Sequence, residues 1–387
     1  MRRLKGALIG FGFIAEKGHL PAYAAGGLEV VAIADINADR RRAASLALPH
    51  ARIYESYEDL LAKERDIEFV DIATPPYAHA QIALAAFAHG LHVLCEKPMA
   101  MTVDEAKKMV EAAGRSRRVL FPSHNYKHAP VIRAVANVLD QGLIGAVHHV
   151  TLDTFRNTHA RGVKEWRESW RREKKYSGGG IAMDHGSHTF YLAFDWLKSY
   201  PTSLTAKMST APATSTQAAF DTEDTFSTAI TFPNGTAVAQ LTWRAGIRKV
   251  IYTIHGEKGA IRVEDDDVEV SVMETPNLPN APAKKWKVTE EKIASEWMDA
   301  SHTIWFQSLF GRFTTAIENK DFAGKDAQDA LRCVELINAA YASAADQSRE
   351  QRLGLHEPKI ILPEPSGSRL PRSNGNGHGR AKEMWRS

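Results

Sequence analysis

Two cysteines, Cys95 and Cys333, are all that 387 residues carry. A secreted domain stapled by disulfides is thereby excluded, and the reducing cytoplasm is the expected home. Long apolar runs are missing too. No stretch approaches the ~20 residues of a membrane-spanning helix, so no membrane partner is expected. The basic start at Met1 to Lys5, followed by uncharged residues to Ala15, imitates a signal peptide. That reading is set aside, because the uncharged stretch holds a cofactor fingerprint that cleavage would destroy.

A strong excess of one charge is also absent: 49 Lys and Arg stand against 46 Asp and Glu, a net of +3. Eight Lys/Arg and three Glu between Arg156 and Lys175 give +5, Ser366 to Ser387 gives +4, and the remainder is −6. An acidic body with one basic segment and a basic tail does not suit a nucleic-acid partner. Apolar residues at 44% and charged ones at 25% exclude a disordered or collagen-like chain. At ~150 residues per domain, the length predicts two domains.

The first part alternates apolar runs with alanine-rich periodic stretches. Leu4 to Ile9, Glu29 to Ala34, Phe69 to Ala73, Leu91 to Cys95 and Val119 to Phe121 read as strands buried on both faces. Ala78 to Ala88 reads as a helix, as does Thr102 to Ser116, which opens on a Thr102-x-x-Glu105 capping box. Strand and helix in alternation predict a doubly wound parallel sheet, the Rossmann arrangement. After about residue 146 the pattern changes. Val147 to Phe155, Asp224 to Phe232, Thr236 to Arg244 and Ala260 to Glu264 read as strands, with turns at Asn234-Gly235 and Gly256 to Gly259. Ile181 to Leu197, Trp297 to Glu318 and Asp326 to Ala345 read as helices, the last two leading back towards the first domain. The expected fold class is therefore α/β: an N-terminal Rossmann sheet over residues 1–123, then an α+β domain over 124–365 with a large, mostly antiparallel open sheet. Residues 366–387, without periodicity, read as a disordered tail or linker.

Gly10-Phe11-Gly12-Phe13-Ile14-Ala15 fits G-x-G-x-x-A directly after the first strand. Gly10 permits a tight turn, Gly12 lets a pyrophosphate approach the backbone, and Ala15 allows close helix packing. The second strand ends in Asp35, whose carboxylate suits ribose hydroxyls and repels a 2′-phosphate, which favours NAD over NADP. Arg40 and Arg41 would soften that preference if either folded back. Cys95-Glu96-Lys97-Pro98 follows another strand at the carboxyl end of the sheet, where such folds bind ligands. Further on, Gly178-Gly179-Gly180 leads into a helix on which Asp184 and His188 share a face.

Together these segments resemble the Gfo/Idh/MocA family, the glucose-fructose oxidoreductase and inositol dehydrogenase group, over roughly residues 4 to 350. The motifs are the glycine turn, Asp35, Ala73-Thr74-Pro75-Pro76 with His79, Glu96-Lys97-Pro98, Trp170-Arg171, the triple glycine, and Asp184 with His188. The resemblance implies a nicotinamide cofactor and reversible oxidation of a secondary alcohol on a sugar, inositol or related polyol. It implies that Lys97 hydrogen-bonds the reacting oxygen, that His188 removes the hydroxyl proton and that Asp184 is the acidic partner. Thr74, Pro75, His79 and Glu96 are implied at the cofactor, Asn125 near nicotinamide or substrate, and Trp170-Arg171 near both. Tyr126-Lys127 departs from the family's aromatic-arginine pair. A homodimer or homotetramer through the C-terminal sheet is implied as well.

The chemistry stands apart from the resemblance. A neutral imidazole is the best-matched base for an alcohol proton near neutral pH, and an ammonium stabilises a developing alkoxide. Each residue also has a plain alternative: His188 in a core, Asp184 steadying a helix, Lys97 on the surface. Asp184, His185 and His188 also admit a metal reading, but two ligands at i, i+4 without a third nearby argue against it, so no metal is expected. The segment from Arg156 to Lys175 leads into the glycine turn, and Arg156, Arg161 and Arg171 there are candidates for drawing in an anionic substrate. Two alternative functions remain: a relative that retains NAD for epimerisation or glycoside cleavage, and a non-catalytic NAD(P)-binding regulator.

Overall fold

The computed structural model describes residues 3–212, 220–274 and 285–354. Six strands, β1 (Leu4–Ile9), β2 (Leu28–Ala34), β3 (Arg52–Tyr54), β4 (Phe69–Ile72), β5 (His92–Cys95) and β6 (Leu120–Pro122), form one all-parallel sheet. Their order, β3-β2-β1-β4-β5-β6, reverses direction of growth at β1. A ligand crevice opens at such a reversal, beyond the carboxyl ends of the strands. The apolar runs lie where burial on both faces demands them: Ala7, Leu8, Val70, Val93 and Leu94 have no exposed surface. The capping box forms as the sequence indicates. Thr102 Oγ1 accepts from Glu105 N, and Glu105 Oε2 accepts from Thr102 N, starting the helix Val103–Ser116.

The two faces of this sheet are completed from the far end of the chain. Ala327, Ala330 and Val334 of the helix Lys325–Ala345 join the core beneath the helices His79–Ala88 and Val103–Ser116. On the other face, Phe306, Leu309, Phe310 and Phe313 of the helix Thr303–Glu318 pack on Leu8, Phe69 and Phe121.

Nine strands make the second sheet: β7 (Val147–Phe155), β8 (Ser203–Ser209), β9 (Thr225–Phe232), β10 (Gly235–Thr242), β11 (Lys249–Gly256), β12 (Gly259–Glu264), β13 (Asp267–Glu274), β14 (Lys285–Lys292) and the short β15 (Gln351–Arg352). The order is β14-β13-β12-β11-β7-β10-β9-β8-β15. Every pairing is antiparallel except β7 with β10. Asn234-Gly235 closes the β9–β10 hairpin, pairing Phe232 with Gly235. One face of the central strands is buried with Phe190, Tyr191 and Leu197 of the helix Ile181–Leu197, and the other is open.

One expectation needs adjustment. Trp297 to His302 is not helical: Glu296 and His302 have positive φ, and Asp299 turns back to accept from Ser301 N and Oγ. Helix therefore begins at Thr303. Several elements, among them β3, β8, β11, β13 and the helix Pro130–Asp140, carry no strong sequence signal and appear only in the structure. The stretch 366–387 lies outside the described residues. Among the described residues no helix is long and apolar enough to cross a membrane.

Candidate active site

The carboxyl ends of β1, β2, β4, β5 and β6 open into a cavity of about 750 Å³. Gly10 turns there at φ +92°, a conformation that costs glycine nothing, and a Cβ would press on the Ala73 carbonyl at 2.9 Å. Gly12 has nothing within 4 Å of the place a Cβ would take, so its backbone faces open space. Phe13 and Ile14 continue the same wall. Asp35, at the end of β2, accepts from Phe11 N at 2.7 Å and Asn37 N at 2.8 Å, which ties the acid to the glycine turn. Each carboxylate oxygen keeps a lone pair for a further donor.

Arg40 does fold back. Its guanidinium donates to the Phe11 carbonyl at 2.7 Å and to Glu16 at 2.5 Å, lies 3.4 Å from Glu165, and sits over the Phe11 ring. Its charge is thus shared between two carboxylates. Arg41 donates to the carbonyls of Asp35 and Ile36.

Thr74 and Pro75 after β4, and Asn125 after β6, line the cavity, and both Thr74 Oγ1 and Asn125 Oδ1 are buried with no hydrogen-bond partner. Buried polar atoms left unpaired at a cavity wall are suited to a polar ligand. His79 stands apart from the expectation. It is wholly buried off the cavity wall, with Nδ1 2.9 Å from the Pro98 carbonyl and Nε2 2.7 Å from that of Thr74. It braces the two loops rather than facing the crevice.

Behind Glu96 lies a buried charge cluster. His19 Nδ1 is 2.7 Å from Asp71 and its Nε2 3.1 Å from Glu96, while the Tyr23 hydroxyl donates to Asp71 at 2.7 Å. Burial alone would push the His19 ring down, but Asp71 and Glu96 more than reverse this and push it up to about 10. Glu96 in turn accepts from Lys97 N at 3.2 Å.

Lys97 Nζ donates to the Asp184 carbonyl at 2.8 Å and to Asp184 Oδ1 at 3.0 Å. Burial raises the Asp184 carboxyl, yet Lys97, Arg171 and His185 together hold it well below the usual carboxylate range. One turn along the helix, His188 lines the same cavity. Its Nδ1 is 2.7 Å from the Tyr191 hydroxyl, which also accepts from Tyr126 N at 3.1 Å, and the Tyr126 ring stacks on the imidazole at 3.8 Å. The ring plane is therefore held from two sides, with Nε2 left for the cavity. Burial, then Lys97 and His185, push His188 well below its ordinary value. It is neutral at pH 7.

The triple glycine owes its composition to packing. A Cβ on Gly179 would lie 1.8 Å from the Tyr341 hydroxyl and one on Gly180 1.8 Å from the Glu223 carbonyl. Glu223 accepts from Gly180 N and Ala182 N, capping the helix that carries Asp184 and His188.

Trp170 and Arg171 line the cavity with the guanidinium stacked 4.3 Å over the indole, and Arg171 Nε lies 3.4 Å from Asp184. Arg161 pairs with Glu168 at the exposed rim. Arg156 is buried and donates to the carbonyls of Phe155 and Lys249. Lys127 turns away into an ion cluster with Asp195, Asp326 and Asp329. Arg248 and His302, which no motif marked, reach the cavity from the loop before β11 and the loop before Thr303. Tyr191, Glu223 and His19 were likewise unmarked. A histidine four residues past the motif's Ala15 was the only sequence hint of the charge cluster.

A doubly wound sheet with this glycine turn and acid, facing a lysine, a carboxylate and an imidazole across one cavity, defines the nucleotide-cofactor oxidoreductases. Residues 4–124 match the family model described as oxidoreductase family, NAD-binding Rossmann fold, and residues 132–262 match the GFO/IDH/MocA C-terminal domain. The chain belongs to the Gfo/Idh/MocA family. It is 38% identical over 146 residues to D-apiose dehydrogenase from Paraburkholderia graminis, covering 38% of each chain. It is 31% identical over 208 residues to levoglucosan dehydrogenase from Pseudarthrobacter phenanthrenivorans, covering 50% of this chain and 51% of that one. The chain thus aligns with about two-fifths to a little over half of the first curated relatives' length. A structure of levoglucosan dehydrogenase in complex with NADH and L-sorbose shares the fold at TM-score 0.76 and 23% identity, covering 92% of this chain and 100% of that one.

Proposed function

We propose that this protein reversibly oxidises a secondary alcohol of a sugar, inositol or related polyol, with NAD as its cofactor. The observation that carries this reading is the meeting of Lys97, Asp184 and His188 at one cavity wall beside the open glycine turn. Gly10, Gly12, Phe13, Ile14, Asp35, Thr74, Pro75 and Glu96 would hold the cofactor, with Asn125, Trp170 and Arg171 at its reactive end. Unpartnered Thr74 Oγ1 and Asn125 Oδ1 fit such a guest. The Asp35 carboxylate, and an Arg40 already shared by Glu16 and Glu165, favour NAD over NADP. Bound NAD supplies the hydride acceptor, and its reduced form the donor.

The protein's share is to hold the alcohol and move its proton. Lys97 has three N–H donors and spends two on Asp184, so one remains for the reacting oxygen, where an ammonium stabilises alkoxide character. Asp184 fixes the direction of that ammonium. His188 accepts the hydroxyl proton on Nε2. In that role Nδ1 carries the ring proton and donates to the Tyr191 oxygen.

A division at 123/124 into a cofactor part and a substrate and assembly part is supported by family segments of which one ends at residue 124 and the other begins at 132. The open face of the second sheet, carrying uncharged Thr151, Val238, Ile251 and Thr253 on its central strands, suits a second copy of the chain in a homodimer or homotetramer. Two buried free thiols suit the cytoplasm. The test is NAD reduction by purified protein against aldoses, inositols and their acid and phosphate derivatives, with light scattering for the assembly. Turnover of at least one polyol is expected. Failure of NAD to bind, or no reduction across the panel, refutes the reading.

A further inference from the structure

The arginines near the cavity fall into two groups. Arg40, Arg161, Arg171 and Arg172 each have a carboxylate within ion-pair distance: Glu16, Glu168, Asp184 and Asp224. Arg156 and Arg248 have none among the described residues. Arg156 is 9% exposed and spends Nη1 on two backbone carbonyls. Arg248 Nε is buried with no hydrogen-bond partner.

Both line the cavity, and burial, then the charge of Arg156, hold Arg248 below its ordinary value. The nearest acids are engaged elsewhere: Asp265 Oδ1 accepts from Val250 N, and Asp299 accepts from Ser301 N and Oγ. His302, stacked on Trp305, lines the same cavity with Nδ1 buried and unpartnered. Burial, then Arg248, push its ring down to about 3, so it stands there as a neutral group. Asp184, on the cavity wall, is taken by Lys97 and Arg171.

Partly buried guanidinium groups without a counter-ion are costly, and the cost is relieved when an anion arrives with matching lone pairs. Besides Lys97, the cavity wall therefore carries two cationic groups without a counter-ion among the described residues. The basic segment predicted them only in part, since Arg161 and Arg171 are paired and Arg248 lies outside that segment.

We propose that the substrate is a polyhydroxylated anion whose charged group sits on Arg156 and Arg248 while its reacting hydroxyl lies at Lys97 and His188. The proposal rests on the dehydrogenase reading for its second half, whereas the anion site stands on the unpaired arginines alone. A guanidinium pair takes a carboxylate or a phosphate equally well in principle, so the substrate is a sugar acid or a sugar phosphate.

The experiment compares matched sets on the full-length protein saturated with NAD: D-glucose, D-glucuronate and a glucose phosphate, then the corresponding galactose set. The best anionic member is expected to exceed its neutral counterpart in kcat/KM by about tenfold or more, and the advantage falls as salt rises. Whether the acid or the phosphate leads identifies the anion. Arg248→Gln, at a partly buried loop position, lowers the anion-to-neutral ratio by about tenfold or more through KM. Arg156→Lys lowers it less, and Arg244→Gln, outside the cavity, leaves it unchanged.

Calorimetric titration with D-glucuronate, D-galacturonate and both phosphates separates the two claims. Binding that Arg248→Gln abolishes supports the anion site even where no compound reduces NAD, which would refute the dehydrogenase reading instead. The anion site is overturned if no anion binds, if neutral sugars match the anions, or if Arg248→Gln raises KM for NAD rather than for the anion.

Discussion

Replacing His19 by Gln removes a cation held between two buried carboxylates, and the consequence can be worked from the geometry. The His19 and Asp71 side chains have no exposed surface, and Glu96 has 12%. Withdrawing one member of a buried ionic group costs about 3–5 kcal/mol. Gln keeps one hydrogen bond and Tyr23 still serves Asp71, so about 3 kcal/mol is the expected loss at pH 7. The upward push on the ring gives a figure of the same order. The ring lies at about 10 against an ordinary 6.5, and at about 1.4 kcal/mol per pH unit that interval is worth about 5 kcal/mol. Because the folded value is the higher one, this stability is complete below pH 6.5 and lost as pH rises towards 10. Urea unfolding at pH 7 should show the Gln variant less stable by about 3 kcal/mol. Labelled-histidine NMR of the native protein should show His19 as an imidazolium at pH 8. A neutral ring at pH 8, or a variant within about 1 kcal/mol of wild type, would refute the reasoning.

His188 is held below its ordinary value by burial and by Lys97, so it remains a free base as pH falls through 6.5. The acid limb of kcat/KM for alcohol oxidation should accordingly lie below about pH 6, and a limb at 6.5 or above contradicts the assignment. Lys127→Met strands Asp329, whose carboxylate is fully buried but keeps Tyr200 and Lys325 as partners. A loss of about 3 kcal/mol in urea unfolding is expected, with part recovered by adding Asp329→Asn, and no loss would count against the cluster. Gly179→Ala drives a methyl into the Tyr341 hydroxyl and should lower stability by about 1–3 kcal/mol, read by thermal unfolding. Wild-type stability would show that the turn relaxes freely.

Local features were legible and distant pairings were not. Apolar runs specified β1 to within its ends, Asn234-Gly235 located the β9–β10 hairpin, and Thr102 with Glu105 announced a helix start, because each signal spans only a few residues. The glycine turn was legible because Gly10 needs positive φ. Glu223 reaching Gly180, Arg248 and Arg156 lining one cavity, and His19 between Asp71 and Glu96 join segments far apart in the chain, and no periodicity encodes them. Trp297 to His302 misled because its large apolar side chains fit helical spacing. Asp299 bonding to Ser301 broke the helix there. The basic segment misled in a different way, since net charge counts arginines without saying which of them are paired.

The central claim is that Lys97 acts on the reacting oxygen. It is tested most directly by comparing NAD reduction by wild-type protein and Lys97→Met on the best substrate of the panel, with NAD affinity measured in parallel. A fall in kcat of about 10²–10⁴, with NAD still bound, is the expected result. Equal rates for the two proteins would contradict it.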